Sequence, residues 1–293
     1  MNMQNQWLSM FRPVLDYIKS EKTLPWLKTW KFGAVRNFAT KREYNGFNKT
    51  MLTMLAKDAE SDFATMNQIE AHQCSIDTEK YSGYRIGFVQ YPDSQLEGDE
   101  NKEKDPTIQG AIRRSYVVYP IGGVTRISDG SSLGYQAPAP EFAKAQDLID
   151  TLDIKTKIGK PSYNTLTDVV AMPSRGTKAF QDDESYFSVF FHELIHWAGS
   201  AKRAGDAEKI KNRNMSELEE YGREELTAEL GEYFLRNVTG IDRPVDDANS
   251  NAYISHWYNA IKADQELLYW SAGDAQRRVN WILENADLKE KVA

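Results

Sequence analysis

The stretch SYFSVFFHELIHWAGS, Ser185 to Ser200, decides how the rest of the chain is read. The chain has four histidines, His72, His192, His196 and His256. Two of them stand here four residues apart, with Glu193 directly after the first. On an α-helix, positions i and i+4 share a face with Cβ atoms about 6 Å apart, so two imidazoles converge on one ion. Glu193 lies one step round the helix. From there it can reach a metal-polarised water without itself binding the metal, the role of the glutamate in H-E-x-x-H. The apolar flanks predict a helix over about 184–200.

Two imidazoles need a third protein ligand to hold a catalytic ion. No histidine follows until His256, but YGREELTAELG, residues 221–231, offers Glu224, Glu225 and Glu229. Glu225 and Glu229 are four apart and share a face, and the small Ala228 lets two helices approach. His₂Glu sites of the thermolysin kind resemble this pattern. Glu225 reads as the third ligand, and Glu229 as the acceptor of an imidazole N–H that fixes the ring's tautomer. The reverse assignment of these two glutamates is the alternative. Glu224, Glu219 and Glu220 read as a charged helix face. Tyr221, one turn before Glu225, is a candidate support for the site. The expected ion is Zn²⁺, and imidazole with carboxylate also accepts Mn²⁺ or another divalent ion. Glu193 is then the candidate general base of a metal-dependent peptidase.

Outward from this site, TDVVAMP (167–173) predicts a strand before the helix, IKTKIG (154–159) another, and EFAKAQDLIDTLD an amphipathic helix. Long helices are expected at about 216–238, with two more between Ala252 and Asn285. The Gly-, Ser- and Pro-rich stretch SDGSSLGYQAPAP (128–140) marks a boundary, giving domains 1–134 and 135–293. In the first, NQWLSMFRPVLDYIKS reads as a helix weakened by Pro13. NKTMLTMLAKD, capped by Asn48, and FATMNQIEAHQ read as two further helices. YRIGFVQY (84–91) and RRSYVVYPI (113–121) read as strands. The class is α+β in two domains: an N-terminal α+β domain, and a C-terminal one with a small sheet and several long helices.

Composition sets bounds. With 41% hydrophobic and 27% charged residues, a folded, soluble chain is expected. No apolar run is long enough for a membrane span. The N-terminus lacks the marks of a secretory signal, and Cys74 is the single cysteine, so a reducing cytoplasm is expected. The net charge of −7 is unevenly spread. Residues 1–134 hold 17 basic and 16 acidic side chains, and the remainder 19 and 27. Between Thr23 and Thr50, six cations stand against Glu43 alone. They alternate with rings in PWLKTWKFGAVRNFATKREYNGFNK, a composition suited to unpaired nucleic acid: cations track phosphates and rings stack on bases.

Both halves together resemble the ArdC-type antirestriction family of conjugative plasmids. The N-terminal likeness rests on Pro25-Trp26, on RNFATKREYNGFN and on FATMNQ. The C-terminal likeness rests on TDVVAMP, SYFSVFFHELIHWAGSAKR, YGREELTAELGEYFL, AYISHWYNAI and AGDAQRRVNWIL. A Gly-His pair common after the family's metal motif is Gly199-Ser200 here, with Arg203 retained. The resemblance implies a single-stranded-DNA-binding N-domain related to that of plasmid transfer primases and a zincin-like metallopeptidase C-domain. In such folds the strand before the metal helix lines the cleft and can pair with an extended peptide. It implies protection of incoming plasmid DNA from host restriction endonucleases, with a host protein such as a restriction component as a candidate peptidase substrate. Expected DNA contacts are Trp26, Trp30, Arg36, Asn37, Lys41, Arg42, Tyr44 and Asn48. The competing readings are a cytosolic zinc metallopeptidase without a DNA function, and a non-enzymatic DNA-masking protein with a structural metal.

Overall fold

The computed structural model describes residues 3–27, 35–55, 62–90, 112–133, 145–205, 216–241 and 251–286. Trp30 and the charged stretch 92–106 lie outside them. The helix expected around Pro13 is two helices, α1 (Met3–Leu8) and α2 (Arg12–Glu21). Pro13 sits in the first turn of α2, where its missing N–H costs no intrahelical bond. Helix α3 (Gly46–Leu55) begins two residues before Asn48. Asn48 is therefore not its cap; its side-chain oxygen accepts the Gly87 N–H at 3.0 Å. Helix α4 (Met66–Ala71) opens on a reciprocal capping box between Thr65 and Gln68.

Four strands form one sheet: β1 (Arg36–Asn37), β2 (Asp62–Ala64), β4 (Tyr84–Gln90) and β5 (Ile112–Pro120), in the order β1-β2-β5-β4. The long pair β4 and β5 runs antiparallel from Tyr84 opposite Val118 to Gln90 opposite Ile112. A small ribbon pairs β3 (Cys74–Ile76) with β6 (Val124–Arg126).

After α5 (Ala145–Asp150) come β7 (Thr156–Ile158), β8 (Ser162–Asn164) and β9 (Val169–Met172). Then follow α6 (Asp183–Ala198), α7 (Glu217–Thr239), α8 (Asn251–Ala263) and α9 (Glu266–Asn285). The sheet order is β7-β9-β8, with β9 parallel to β7 and antiparallel to β8. This corrects one expectation. The strand TDVVAMP is central and has neighbours on both sides, so an added peptide strand would have to use the outer edge of β7 or β8. Among the described residues no helix is long and apolar enough to cross a membrane.

The main core does not stop at the division expected near residue 134. One hydrophobic cluster joins Trp7, Phe11, Trp26, Phe47 and Met51 to Phe191, Leu194, Leu230, Phe234, Leu268 and Ile282. Polar contacts cross with it. Trp7 Nε1 donates to Glu266 at 3.0 Å, Arg113 pairs with Glu266 at 2.6 Å, and Arg236 donates to the Trp26 carbonyl at 2.7 Å. A separate cluster at the four-stranded sheet contains Val35, Tyr44, Leu52, Phe63, Ile86 and Val118.

Candidate metal centre

Helix α6 starts at Asp182, whose carboxylate accepts the Ser185 N–H at 2.7 Å. Phe187, Phe190, Phe191, Leu194, Ile195 and Trp197 bury its core face. The helix is thereby locked in rotation, and His192 and His196 are left together on a less buried side. Their Nε2 atoms are 3.3 Å apart. Helix α7 brings Glu225 to the same point: Oε2 is 3.6 Å from His192 Nε2, and Oε1 is 3.8 Å from His196 Nε2. His192, His196 and Glu225 each offer a ligand atom, all within 4.8 Å of one another, and they are the one such group among the described residues. Two imidazole nitrogens and a carboxylate oxygen suit Zn²⁺ and related divalent ions.

The approach of the two helices depends on small residues. Ala228 is fully buried on α7. A Cβ on Gly231 would lie 2.6 Å from the Ile195 side chain.

The three side chains are electrostatically coupled. Burial opposes charge on His192. Its hydrogen bond to Glu225 and the charges of Glu229, Glu232 and Glu193 outweigh this and hold its pKa up at about 9. Burial likewise opposes ionisation of Glu225, yet the two imidazoles keep its carboxyl below the ordinary value. A proton on His192 thus balances carboxylates that an ion would otherwise balance. Glu193 is nearly fully buried beside this group and has no hydrogen bond or ion pair among the described residues.

The support of His196 differs from the sequence expectation. Its Nδ1 lies 2.8 Å from Glu224 Oε1, so the carboxylate that faces this nitrogen is that of Glu224. Glu224 also receives a two-pronged hydrogen bond from Arg278 of α9, both contacts at 2.7 Å. Arg278, with burial opposing, keeps the Glu224 carboxyl well below the usual carboxylate range. Glu229 accepts a hydrogen bond from the Tyr253 hydroxyl. A spacing of four residues finds partners on one helix face, but it does not see a cation arriving from another helix. Tyr221 is 63% exposed, and its hydroxyl is pushed up by the charge of neighbouring Glu225, then by burial and their hydrogen bond.

The end of α6 is clamped to the β8–β9 turn. Arg203 stacks 3.5 Å from the Trp197 ring centre and grips both carboxylate oxygens of Asp168 at 2.9 Å. The Tyr163 hydroxyl adds a bond at 3.0 Å. His72 and His256 lie elsewhere, against Phe38 and Trp257.

The N-terminal basic segment is rearranged relative to expectation. Trp26 is fully buried in the main core and Tyr44 is buried in the sheet cluster, so neither presents a free ring. Asn37 is a hub of the turn: its amide donates to Tyr44 and Gln68, and its carbonyl oxygen accepts from Ala39 and Thr40. Arg36 pairs with the buried Asp62 at 3.3 Å. Lys41, over the Phe38 ring at 4.3 Å, and Arg42 are exposed. An exposed ring that composition passed over is Phe88, 43% exposed beside Tyr116. Its cross-strand neighbour is Arg114.

Residues 9–119 match the family described as the N-terminal domain of anti-restriction factor ArdC, and residues 143–274 match the zincin-like metallopeptidase family. The crystal structure of the antirestriction ArdC protein from plasmid R388, bound to Mn(II), superposes with a TM-score of 0.69 at 21% identity. The match covers 96% of this chain and 97% of that one. Its metal-free form gives 0.69 at 22% identity. DNA primase TraC of Escherichia coli is 24% identical over 284 residues, 89% of this chain but 25% of the primase. The chain therefore spans about a quarter of that relative's length. Uncharacterized protein y4eC of Sinorhizobium fredii (strain NBRC 101917 / NGR234) is 26% identical over 261 residues, 84% of this chain and 80% of y4eC.

Proposed function

We propose that this chain, whose two halves match the ArdC N-terminal and zincin-like metallopeptidase families, is an ArdC-type antirestriction protein that binds single-stranded DNA and shields entering plasmid DNA from host restriction endonucleases. In this reading it works in the cytoplasm of the recipient bacterium and carries a metal-dependent peptidase-like site. The observation that supports it most is the convergence of His192, His196 and Glu225 beside a buried Glu193 whose charge acts on His192. Zn²⁺ is the proposed ion, with Mn²⁺ as the alternative. Held by His192, His196 and Glu225, it would supply Lewis acidity toward a carbonyl and a water. Glu193 is the proposed general base: its carboxylate takes the proton of the attacking water and can return it to the leaving amine. Tyr221, one turn before Glu225, hydrogen-bonds its carboxylate, and Glu229, one turn after it, is engaged by the Tyr253 hydroxyl.

DNA binding is proposed for the N-terminal half, through the exposed cations Lys41 and Arg42, with Arg36 behind them and the Phe88 ring available to an unpaired base. A host protein that approaches the same DNA is the proposed peptidase substrate. The test is an in-cell restriction assay of the full chain beside Glu193→Ala, with single-strand binding measured on both. Glu193→Ala is expected to keep DNA binding and lose protection. Full protection by Glu193→Ala would remove catalysis from the function and leave DNA masking.

A further inference from the structure

We infer that Glu224 and Arg278 form a positioning pair that sets the tautomer of His196 and the seat of the metal helix; this rests on the metal-site reading above. His196 Nε2 faces His192 and Glu225, at 3.3 and 3.8 Å. A ligand nitrogen must carry a lone pair, so the proton of a neutral His196 has to sit on Nδ1. Glu224 Oε1 at 2.8 Å is the acceptor that keeps it there.

Glu224 can hold this post only if its own carboxylate is fixed in place. Arg278 fixes it. Its side chain is fully buried, and its two terminal nitrogens each reach one carboxylate oxygen at 2.7 Å. The same guanidinium donates to the Ile195 carbonyl at 3.3 Å, one residue before His196 in α6. It lies flat against Gly199, where a Cβ would come within 2.4 Å of Cζ. One cation from α9 therefore grips the second metal helix through Glu224 and the first through its backbone. A side chain at 199 would displace it.

A purely structural ion pair and a positioning pair differ in what replacement does to metal affinity and to the His196 tautomer. A buried pair replaced by apolar residues of similar volume often leaves stability unchanged or raised. The test is the full chain carrying Glu224→Leu with Arg278→Met, titrated metal-free with Zn²⁺ and with Mn²⁺. In parallel, the ring ¹⁵N shifts of His196 are recorded in the metal-free protein at alkaline pH. The expected result is a folded protein with a melting temperature near wild type, Zn²⁺ affinity lower by about tenfold or more, and a His196 ring that populates both tautomers where wild type holds Nδ1–H. Unchanged affinity and an unchanged tautomer in the folded variant would overturn the inference. If the double variant does not fold, Arg278→Lys decides: it keeps the charge and loses the two-pronged grip, and wild-type Zn²⁺ affinity there overturns the pair's role. Wild type that binds neither ion overturns the site reading, and this inference with it.

Discussion

At the scale of single residues, the site is a competition between burial and charge. His192, His196 and Glu225 are too close to be comfortable without a cation, and His192 answers by holding a proton to about pH 9. An ion entering at neutral pH must expel that proton. Apparent metal affinity is therefore expected to rise with pH, toward tenfold per unit below about 9, and to level off above it. Isothermal titration in several buffers would show proton release on binding; a flat profile from pH 6 to about 8 would contradict it. Removing a proposed ligand should cost more than removing a neighbour. His192→Ala, His196→Ala and Glu225→Ala are expected to abolish stoichiometric metal by elemental analysis. Glu229→Ala is expected to weaken affinity by ~10–100-fold at most. Metal retained by Glu225→Ala but lost from Glu229→Ala would invert their assignment.

At the scale of elements, two helices have to meet closely enough for a carboxylate on one to reach imidazoles on the other. Gly231 provides clearance on α7. Gly231→Ala would drive a methyl group into Ile195, on the turn that also carries His192. Overpacking of this sort costs about 1–3 kcal/mol. The variant is expected to unfold at lower denaturant and to bind metal more weakly, because the helices must separate where the ligands meet. Unchanged denaturant midpoint and metal affinity would show that α6 and α7 yield without cost. The central place of β9 is a second consequence at this scale. With both sides paired, it contributes to the cleft as a scaffold, and an extended substrate would meet an outer strand instead.

At the scale of the whole molecule, the two halves share their main core. Trp7, Phe11, Trp26 and Phe47 pack among side chains of the C-terminal helices. Glu266 takes bonds from Trp7 and Arg113, and the Trp26 carbonyl caps Arg236. Residues 135–293 made alone would expose that apolar surface. They are expected to aggregate or to lack a cooperative melt, and to recover one when residues 1–134 are co-expressed. A sharp melt of the isolated fragment, with metal bound, would show that the C-terminal half is self-sufficient. DNA binding is for the same reason best mapped by substitutions in the full chain. Lys41→Ala with Arg42→Ala is expected to weaken single-strand affinity and flatten its salt dependence, since each lost phosphate contact releases fewer counterions.

Local periodicity carried much of this protein in plain view. H-E-x-x-H brings His192 and His196 together because a helix repeats every 3.6 residues, and the long C-terminal helices were legible from spacing for the same reason. Glu225 could be singled out because residue type and helical spacing suffice to narrow a ligand to a few candidates. What spacing could not decide was partnership between distant segments. Whether Glu224 or Glu229 holds His196 depends on where Arg278 arrives from α9, 54 residues further along the chain. Whether Trp26 and Tyr44 are free to stack depends on what packs over them, and an aromatic beside lysines looks the same in sequence either way. The sheet order that places β9 in the middle also follows from pairings absent from its own residues. Sequence alone determined the chemistry available and its helical register. Only the tertiary structure, through burial and long-range charge pairing, decided which of those groups face one another.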